Sequence, residues 1–316
     1  MRAGRPPRAL AREPPVAGPR ATLPAVTASS EVPSSFRSSS IRPGPLALIR
    51  IGVSETLSRR RLIAYLIRAE LKKTGADTLL GNLWWVLDPL LQMLIYYVLV
   101  GVILQRGGKP DFPLFIFTAI LPWKWFTETV QGGVGSVVLG ERLIKQIYFP
   151  KLVLPVSVVT AGVVNFAFGL IPLVGLTIVL YPERLSAWLL LLPVVAAVQF
   201  VFSLAVAIAM SAANVFYRDI GNLARHILRF WFFLSPILYS EDLITKSDVV
   251  KEHHWFLTLY NLNPWKHLIE SYRNVAYNSQ PPDWAGLAGL LVVSLVLVAG
   301  ATLLFKRVEP TFAKVL

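Results

Sequence analysis

Three ionisable residues stand inside the first two stretches otherwise suited to hydrocarbon, 84–104 and 112–139: Asp88, Lys124 and Glu128. Carboxylates at membrane depth are the groups a proton- or ion-coupled secondary transporter would use. Lys124 and Glu128 are four residues apart, the spacing at which opposite charges meet on one helix face. The chain shows no inverted repeat and no broken-helix pair of the kind such carriers use. Other reactive chemistry is sparse. The histidines His226, His253, His254 and His267 form no H-E-x-x-H pattern, and the adjacent His253 and His254 read as a solvated pair beside Trp255. A membrane-embedded glycosyl- or acyltransferase would need a nucleophile and a base together at the bilayer surface, and no such set stands out. Cysteine is absent, which excludes disulfides and thiolate metal sites. Gly107-Gly108-Lys109-Pro110 lacks the spacing and the hydroxyl of a phosphate-binding loop. No catalytic, cofactor-binding or metal-binding residue is therefore assigned.

The elements that carry these residues are long and apolar. The 316-residue chain is 54% hydrophobic and only 16% charged, against about 25% charged in ordinary soluble domains. Six stretches approach the roughly 20 residues needed to cross a bilayer as helix: 84–104, 112–139, 152–180, 186–213, 222–240 and 285–305. An all-α membrane protein with six transmembrane helices is the expected fold, because lipid leaves no partner for unpaired backbone groups. The fifth stretch is the shortest and begins with charge. A net charge of +13 would suggest nucleic acid in a soluble protein; here the positions of the charges argue for topology instead. With both termini cytoplasmic, residues 50–316 place 16 Lys and Arg inside and 7 outside, and the positive-inside rule selects that orientation. Nucleic acid is not an expected partner.

Residues 1–45 form a separate region. They hold nine of the 23 prolines and seven arginines, a composition that cannot bury enough apolar surface to offset its ordering entropy. They are expected to be a disordered cytoplasmic tail, without the apolar core of a secretory signal. Residues 46–83 contain a basic amphipathic helix, with Leu62, Ile63, Leu66, Ile67 and Leu71 near helical spacing and Arg59, Arg60, Arg61, Arg68, Lys72 and Lys73 on other faces. That pattern fits a helix lying in the membrane interface. The six-span unit then occupies 84–316.

Three connecting segments stand out. The short loop Glu141 to Lys151 places Leu143, Ile144 and Ile147 on one face, apart from Arg142 and Lys145, and Pro150 ends it. It fits either a membrane-surface turn or a contact element. Tyr217, Arg218 and Asp219 form a polar turn between spans that suits a local ion pair or a hinge. The segment 241–284 is the longest external connection and is rich in aromatics, among them Trp255, Tyr260, Trp265 and Tyr272. Such rings fit an interfacial belt or a gate at the external mouth, carried on two short helices broken at Asn263-Pro264.

Five motifs occur in one order: Leu121-Pro122-Trp123, Leu143 to Pro155 (LIKQIYFPKLVLP), Asn214 to Ile220 (NVFYRDI), Ser235 to Tyr239 (SPILY), and Asn263-Pro264 with Tyr272-Arg273. Together they resemble the membrane subunits of polysaccharide ABC exporters, the permeases of O-antigen, teichoic acid and related cell-wall glycans, over residues 59–316. Two departures are visible: Asp88-Pro89 stands where the family often has Asn-Pro, and Lys73-Thr74-Gly75-Ala76 where it has a basic-Gly-Ser run. The resemblance implies a homodimer in the bacterial cytoplasmic membrane, working with two cytoplasmic ATPase subunits that carry ATP and Mg. It implies ATPase coupling through Glu141, Arg142, Lys145, Phe149 and Pro150. It also implies re-entrant external gate helices, and a path for a lipid-linked polysaccharide lined from the first span, by position Trp84, Trp85, Asp88, Tyr96 and Tyr97.

Overall fold

A computed structural model describes residues 44–75, 78–105, 111–240 and 254–316. The 1–43 part of the expected tail and the 241–253 part of the external connection lie outside the described residues. Among the described residues every regular element is helical. In chain order these are α1 (Pro45–Ser58), α2 (Arg60–Gly75), α3 (Trp84–Tyr96), α4 (Phe112–Leu139), α5 (Glu141–Gln146), α6 (Val153–Leu180), α7 (Leu192–Phe216), α8 (Ile220–Leu234), α9 (His254–Asn261), α10 (Pro264–Ala276), α11 (Trp284–Val308) and α12 (Phe312–Val315). A wider π-helical turn, Tyr97–Ile103, prolongs α3, and a 3-10 stretch, Ala187–Leu191, leads into α7.

Among the described residues, four helical stretches are long and apolar enough to cross a membrane: Trp84–Ile103, Val153–Leu180, Ala187–Phe216 and Trp284–Val315. The other two expected spans differ from these. At 28 residues α4 has the length, but Lys124, Glu128, Thr127 and Gln131 lower its hydropathy. It tolerates them because it is the central helix, packed on α3, α6, α7, α8 and α10, with Ile116, Phe117, Ile120 and Phe126 fully buried. The fifth expected span, 222–240, is shorter as a helix than its apolar stretch. Helix α8 has 15 residues, about 22 Å at 1.5 Å per residue, and it ends at Leu234 before the Ser235-Pro236 turn.

Pro122 lies inside α4, where it cannot donate its share of the helix ladder. Gln199 of α7 reaches across and donates to the Pro122 carbonyl at 2.8 Å. Asn214 makes a second fastening near the other end. Its amide donates to Val134 O of α4 at 3.0 Å, and its oxygen accepts from the Gly221 amide at 3.2 Å. Both bonds join helices inside a water-poor interior, where a lost partner costs about 1–3 kcal/mol.

The loops segregate to the two ends of the bundle. At one end, Phe149, Ile144, Phe305 and Phe312 share a buried cluster against which Leu62, Ile63 and Leu66 of α2 pack. At the other end, Arg184 pairs with Asp111 and Tyr277 donates to Asp111 Oδ1 at 2.9 Å, with the Arg184 guanidinium 4.6 Å from the Tyr277 ring centre. Three loops expected on one side of a membrane thus meet there. Two helices, α1 and α2, meet at Arg59, and Leu62, Ile63, Leu66, Ile67 and Leu71 of the expected amphipathic helix all lie on α2. Helix α1 packs on α11, with Gly52 closely fitted against Thr302 and Lys306.

Candidate functional site

Of the five expected lining residues, Trp84, Trp85, Asp88 and Tyr96 border two openings that α4 separates, and Tyr97 borders neither. The first opening is bounded by Trp84, Trp85, Asp88, Lys124, Trp125 and Glu128, with Asn165 and Phe166 from α6. Here the ionisable residues come together. Lys124 donates to Asp88 and lies 2.8 Å from Glu128 Oε1. The i,i+4 pair was legible in the sequence, while the Asp88 partnership joins residues 36 apart. Asp88 therefore meets an ammonium, which offsets much of what a lone carboxylate costs at membrane depth.

The second opening is a cleft of about 400 Å³ between α3, α4 and α8. Gln92, Thr127, Gln131, Arg225 and Arg229 supply its polar wall and Tyr96, Trp123, Phe232 and Phe233 its aromatic one. The Tyr96 and Phe232 rings are 5.4 Å apart. Of this set only Tyr96 was expected from the sequence to line the path, and Trp123 belongs to the Leu121-Pro122-Trp123 motif. The signal for the rest was the charge at the start of α8, with Arg225 and Arg229 at i,i+4 on an otherwise apolar helix. Tyr97 is half-buried and packs against the core near Phe112 through Gly101.

The expected gate residues divide by burial. Trp265 and Tyr272 are core residues at 0% and 2% exposure, and Tyr260 is buried at 8%, so these three form no surface belt. Trp265 packs edge-on to Trp123 at 4.8 Å and lies 4.9 Å from Phe126, and Tyr272 packs on Phe166. Trp255 remains exposed. Helix α10 thus begins beside Trp123 and ends at Tyr277 beside Asp111. Its start is fixed by Asn263, whose oxygen accepts from Trp231 Nε1 at 2.9 Å and from the Trp265 amide at 3.1 Å. Buried Arg273 donates to Ile237 O at 2.8 Å and Tyr239 O at 3.2 Å, which holds the turn after α8. The SPILY, Asn-Pro and Tyr-Arg motifs are therefore one structural unit.

On the outer side of α10, Asp283 caps α11 by accepting from the Gly286 amide at 3.0 Å and pairs with His267 at 2.9 Å. Burial alone would raise the Asp283 carboxyl; the Gly286 amide and His267 outweigh it and hold the carboxyl below its ordinary value. The depressed folded value means that stability is present above the unfolded pKa, about 3.9, and is lost as pH falls through the folded one. Asp283→Asn is expected to flatten that acid limb below about pH 4; an acid unfolding profile identical to that of the wild type would show that Asp283 contributes nothing to it.

At the opposite end, α5 presents Glu141 and Lys145 as an exposed pair, 2.6 Å apart. Hydrogen bonding to Lys145 and its charge hold the Glu141 carboxyl below the usual range. Lys145 also donates to Leu316 O at 3.0 Å. Tyr148 is 93% exposed whereas Phe149 is 3% exposed, so Phe149 anchors the loop from within and Tyr148 is the ring that projects. Lys151 N donates to Glu309 at 2.7 Å, and Lys306 pairs with both Glu309 and Glu55 at 2.6 and 2.7 Å. The loop after α5 is thereby tied to α11 and α1. Tyr217, Arg218 and Asp219 are exposed and no ion pair joins Arg218 to Asp219; Asn214 fixes that turn instead.

The ABC-2 type transporter family model matches residues 61–277. The "O-antigen export system permease protein RfbA" of Myxococcus xanthus is 34% identical over 267 residues, 84% of this chain and 99% of that protein. The protein of the same name from Klebsiella pneumoniae is 27% identical over 256 residues, 81% of this chain and 95% of its own length. The matched region runs from α2 through α10 and so contains both openings, the α5 loop and the unit that joins α8 to α10; the chain belongs to the ABC-2 type transporter membrane family.

Proposed function

We propose that this chain is the permease of an ATP-driven exporter that moves a lipid-linked polysaccharide of the O-antigen kind across the bacterial cytoplasmic membrane. The cleft between α3, α4 and α8 carries this reading. Exposed arginines on a helix inside a bundle of spans require water or an anionic partner, and the cleft supplies aromatic faces and amide side chains beside them. Two copies would enclose the path between such clefts. All six stretches would contribute, with α4 crossing inside a shell of neighbours and α8 extended by the re-entrant α9–α10 pair. The end that gathers α2, α5 and the C-terminus would face the cytoplasm, with α2 in the interface. Two ATPase subunits, carrying ATP and Mg, would dock on Glu141, Arg142, Lys145 and Tyr148. Pro150 and buried Phe149 hold that loop in place, and the Glu309–Lys306–Glu55 network would pass the push to α6 and α11. The polar turn Tyr217–Asp219 would flex with it. The sequence offered an ion-coupled carrier as the alternative; the pairing of Asp88 and Glu128 through Lys124 gives those carboxylates a structural task.

Arg225→Gln with Arg229→Gln tests the path. A glycan carried on a lipid phosphate loses two charge-assisted contacts, each worth about 1.5–3 kcal/mol. Export in cells is expected to fall at least about tenfold with normal amounts of permease and ATPase in the membrane. Wild-type export by this double variant would remove the cleft from the path.

A further inference from the structure

His267 and Glu270 of α10 meet Asp283 at the start of α11. One ligand atom from each of the three lies within 4.8 Å of the other two, and all three residues are partly buried. The His267 ring is held between two acceptors. Its Nδ1 lies 2.9 Å from Asp283 Oδ2, and its Nε2 lies 3.1 Å from Asn261 O at the end of α9. A neutral imidazole carries one N–H. With that hydrogen on Nε2, where it serves the Asn261 carbonyl, the bare Nδ1 faces a carboxylate oxygen. Two acceptors at that distance need a cation between them. A second ring proton is one such cation, and a metal ion is another.

The surroundings favour the metal. A metal-bound histidine almost always donates its other ring N–H to a carbonyl or a carboxylate, and Asn261 O stands in that place. Asp283 divides its oxygens: Oδ1 accepts from the Gly286 amide at 3.0 Å, and Oδ2 faces the ring. Two atoms bound to one zinc ion at about 2.0–2.1 Å lie about 3 Å apart, close to the spacing of the His267–Asp283 pair. A Cβ on Gly286 would fall 2.0 Å from Asp283 Oδ2 and 2.3 Å from His267 Nδ1, so only glycine leaves those two atoms together. Glu270 supplies a second carboxylate. Lys266 opposes an ion, since its charge also reaches Asp283, but its ammonium is bonded to Asn261 Oδ1 at 2.7 Å. Two carboxylates and one lysine leave one net negative charge, which still attracts a dication. The imidazole directs the choice: Mg²⁺ and Ca²⁺ take oxygen ligands, whereas zinc and its neighbours accept nitrogen with carboxylate.

We propose that His267, Glu270 and Asp283 bind one divalent transition-metal ion, zinc by its fit to one nitrogen and two oxygens, and that the ion fastens α10 to the start of α11. The His267 and Asp283 side chains are 28% and 26% exposed, so an ion can reach them from solution. The site shares no residue with either opening and does not depend on the permease reading.

The test uses the purified full chain in detergent, stripped of metal with a chelator and titrated with Zn²⁺ against a chromogenic chelator. The wild type should hold one more Zn²⁺ per chain than His267→Gln, and about a hundredfold excess of Mg²⁺ should not displace it. Glu270→Gln should weaken that site at least about tenfold, because even an outer-shell partner is worth that much. Zn²⁺ at about 100 times its Kd should raise the melting point of the wild type by at least about 3 °C and leave that of Glu270→Gln unmoved. Glu270→Gln keeps the His267–Asp283 pair, so it separates metal binding from the part that pair plays in the fold. Co²⁺ gives a second reading: visible d–d bands in the wild type that either variant loses. Equal zinc binding by the wild type and His267→Gln would overturn the proposal, because the metal would then sit on other histidines. Wild-type affinity in Glu270→Gln would overturn the three-ligand site. No saturable zinc binding by the wild type would leave a proton as the bridging cation and sink the metal.

Discussion

Reversing both charges at the head of α5, Glu141→Lys with Arg142→Glu, lowers ATP-driven export at least about tenfold while the permease inserts and folds normally. The two halves of this expectation have separate causes. Glu141 and Lys145 are 36% and 48% exposed in their side chains, and exposed pairs of this kind contribute little to folding because water and salt screen them. The loop is held instead by buried Phe149, by Ile144 and by the Glu309 contact to the Lys151 amide, none of which the double variant touches. Docking is more sensitive. At an interface, a charge of the wrong sign loses its partner and faces a like charge, so it slows association and weakens the complex. The carboxyl of Glu141 is held below its ordinary range by Lys145, so its negative charge is present throughout the physiological pH range. Co-purification of the ATPase with the permease, alongside export in cells, separates the outcomes. Normal export and normal co-purification from the double variant would move the docking surface elsewhere on this end of the bundle.

Lys124→Met is expected to destabilise the protein by about 3 kcal/mol. The ammonium is the shared partner of Asp88 and Glu128, and its own side chain is only 17% exposed. Without it two carboxylates face one another at membrane depth, and one must take up a proton or the helices must part. Removing one member of a buried ion pair costs about 3–5 kcal/mol. The lower end applies because the two carboxylates are 56% and 50% exposed in the chain. The triple variant Asp88→Asn, Lys124→Met, Glu128→Gln removes all three charges and should recover most of the loss. Chemical unfolding of the purified protein in detergent checks both. A single Lys124→Met variant as stable as the wild type would mean that water screens both carboxylates there.

The sequence alone determined the properties that depend on neighbours along the chain. Helical class follows from apolar runs that lipid permits only as helix. The Lys124–Glu128 pair follows from i,i+4 spacing, and the short amphipathic α5 from its position between two long apolar runs and from Pro150. The order of the five motifs pointed to the family. Each of these is encoded within a few residues or by simple alternation of the chain across a slab.

Packing between distant segments sets which way each helix is turned and what lies opposite it. Rotation about a helix axis is set by packing against partners remote in sequence, and an aromatic ring suits a lipid boundary, a channel wall or a core equally well. Hence Trp265 and Tyr272, legible only as external aromatics, are packed against α4 and α6, and Phe149 faces inward while Tyr148 faces out. Trp84, Trp85, Asp88 and Tyr96 border two openings, because α4 divides the space beside them. Asp88 found Lys124 across an interhelical gap that spacing along the chain does not encode.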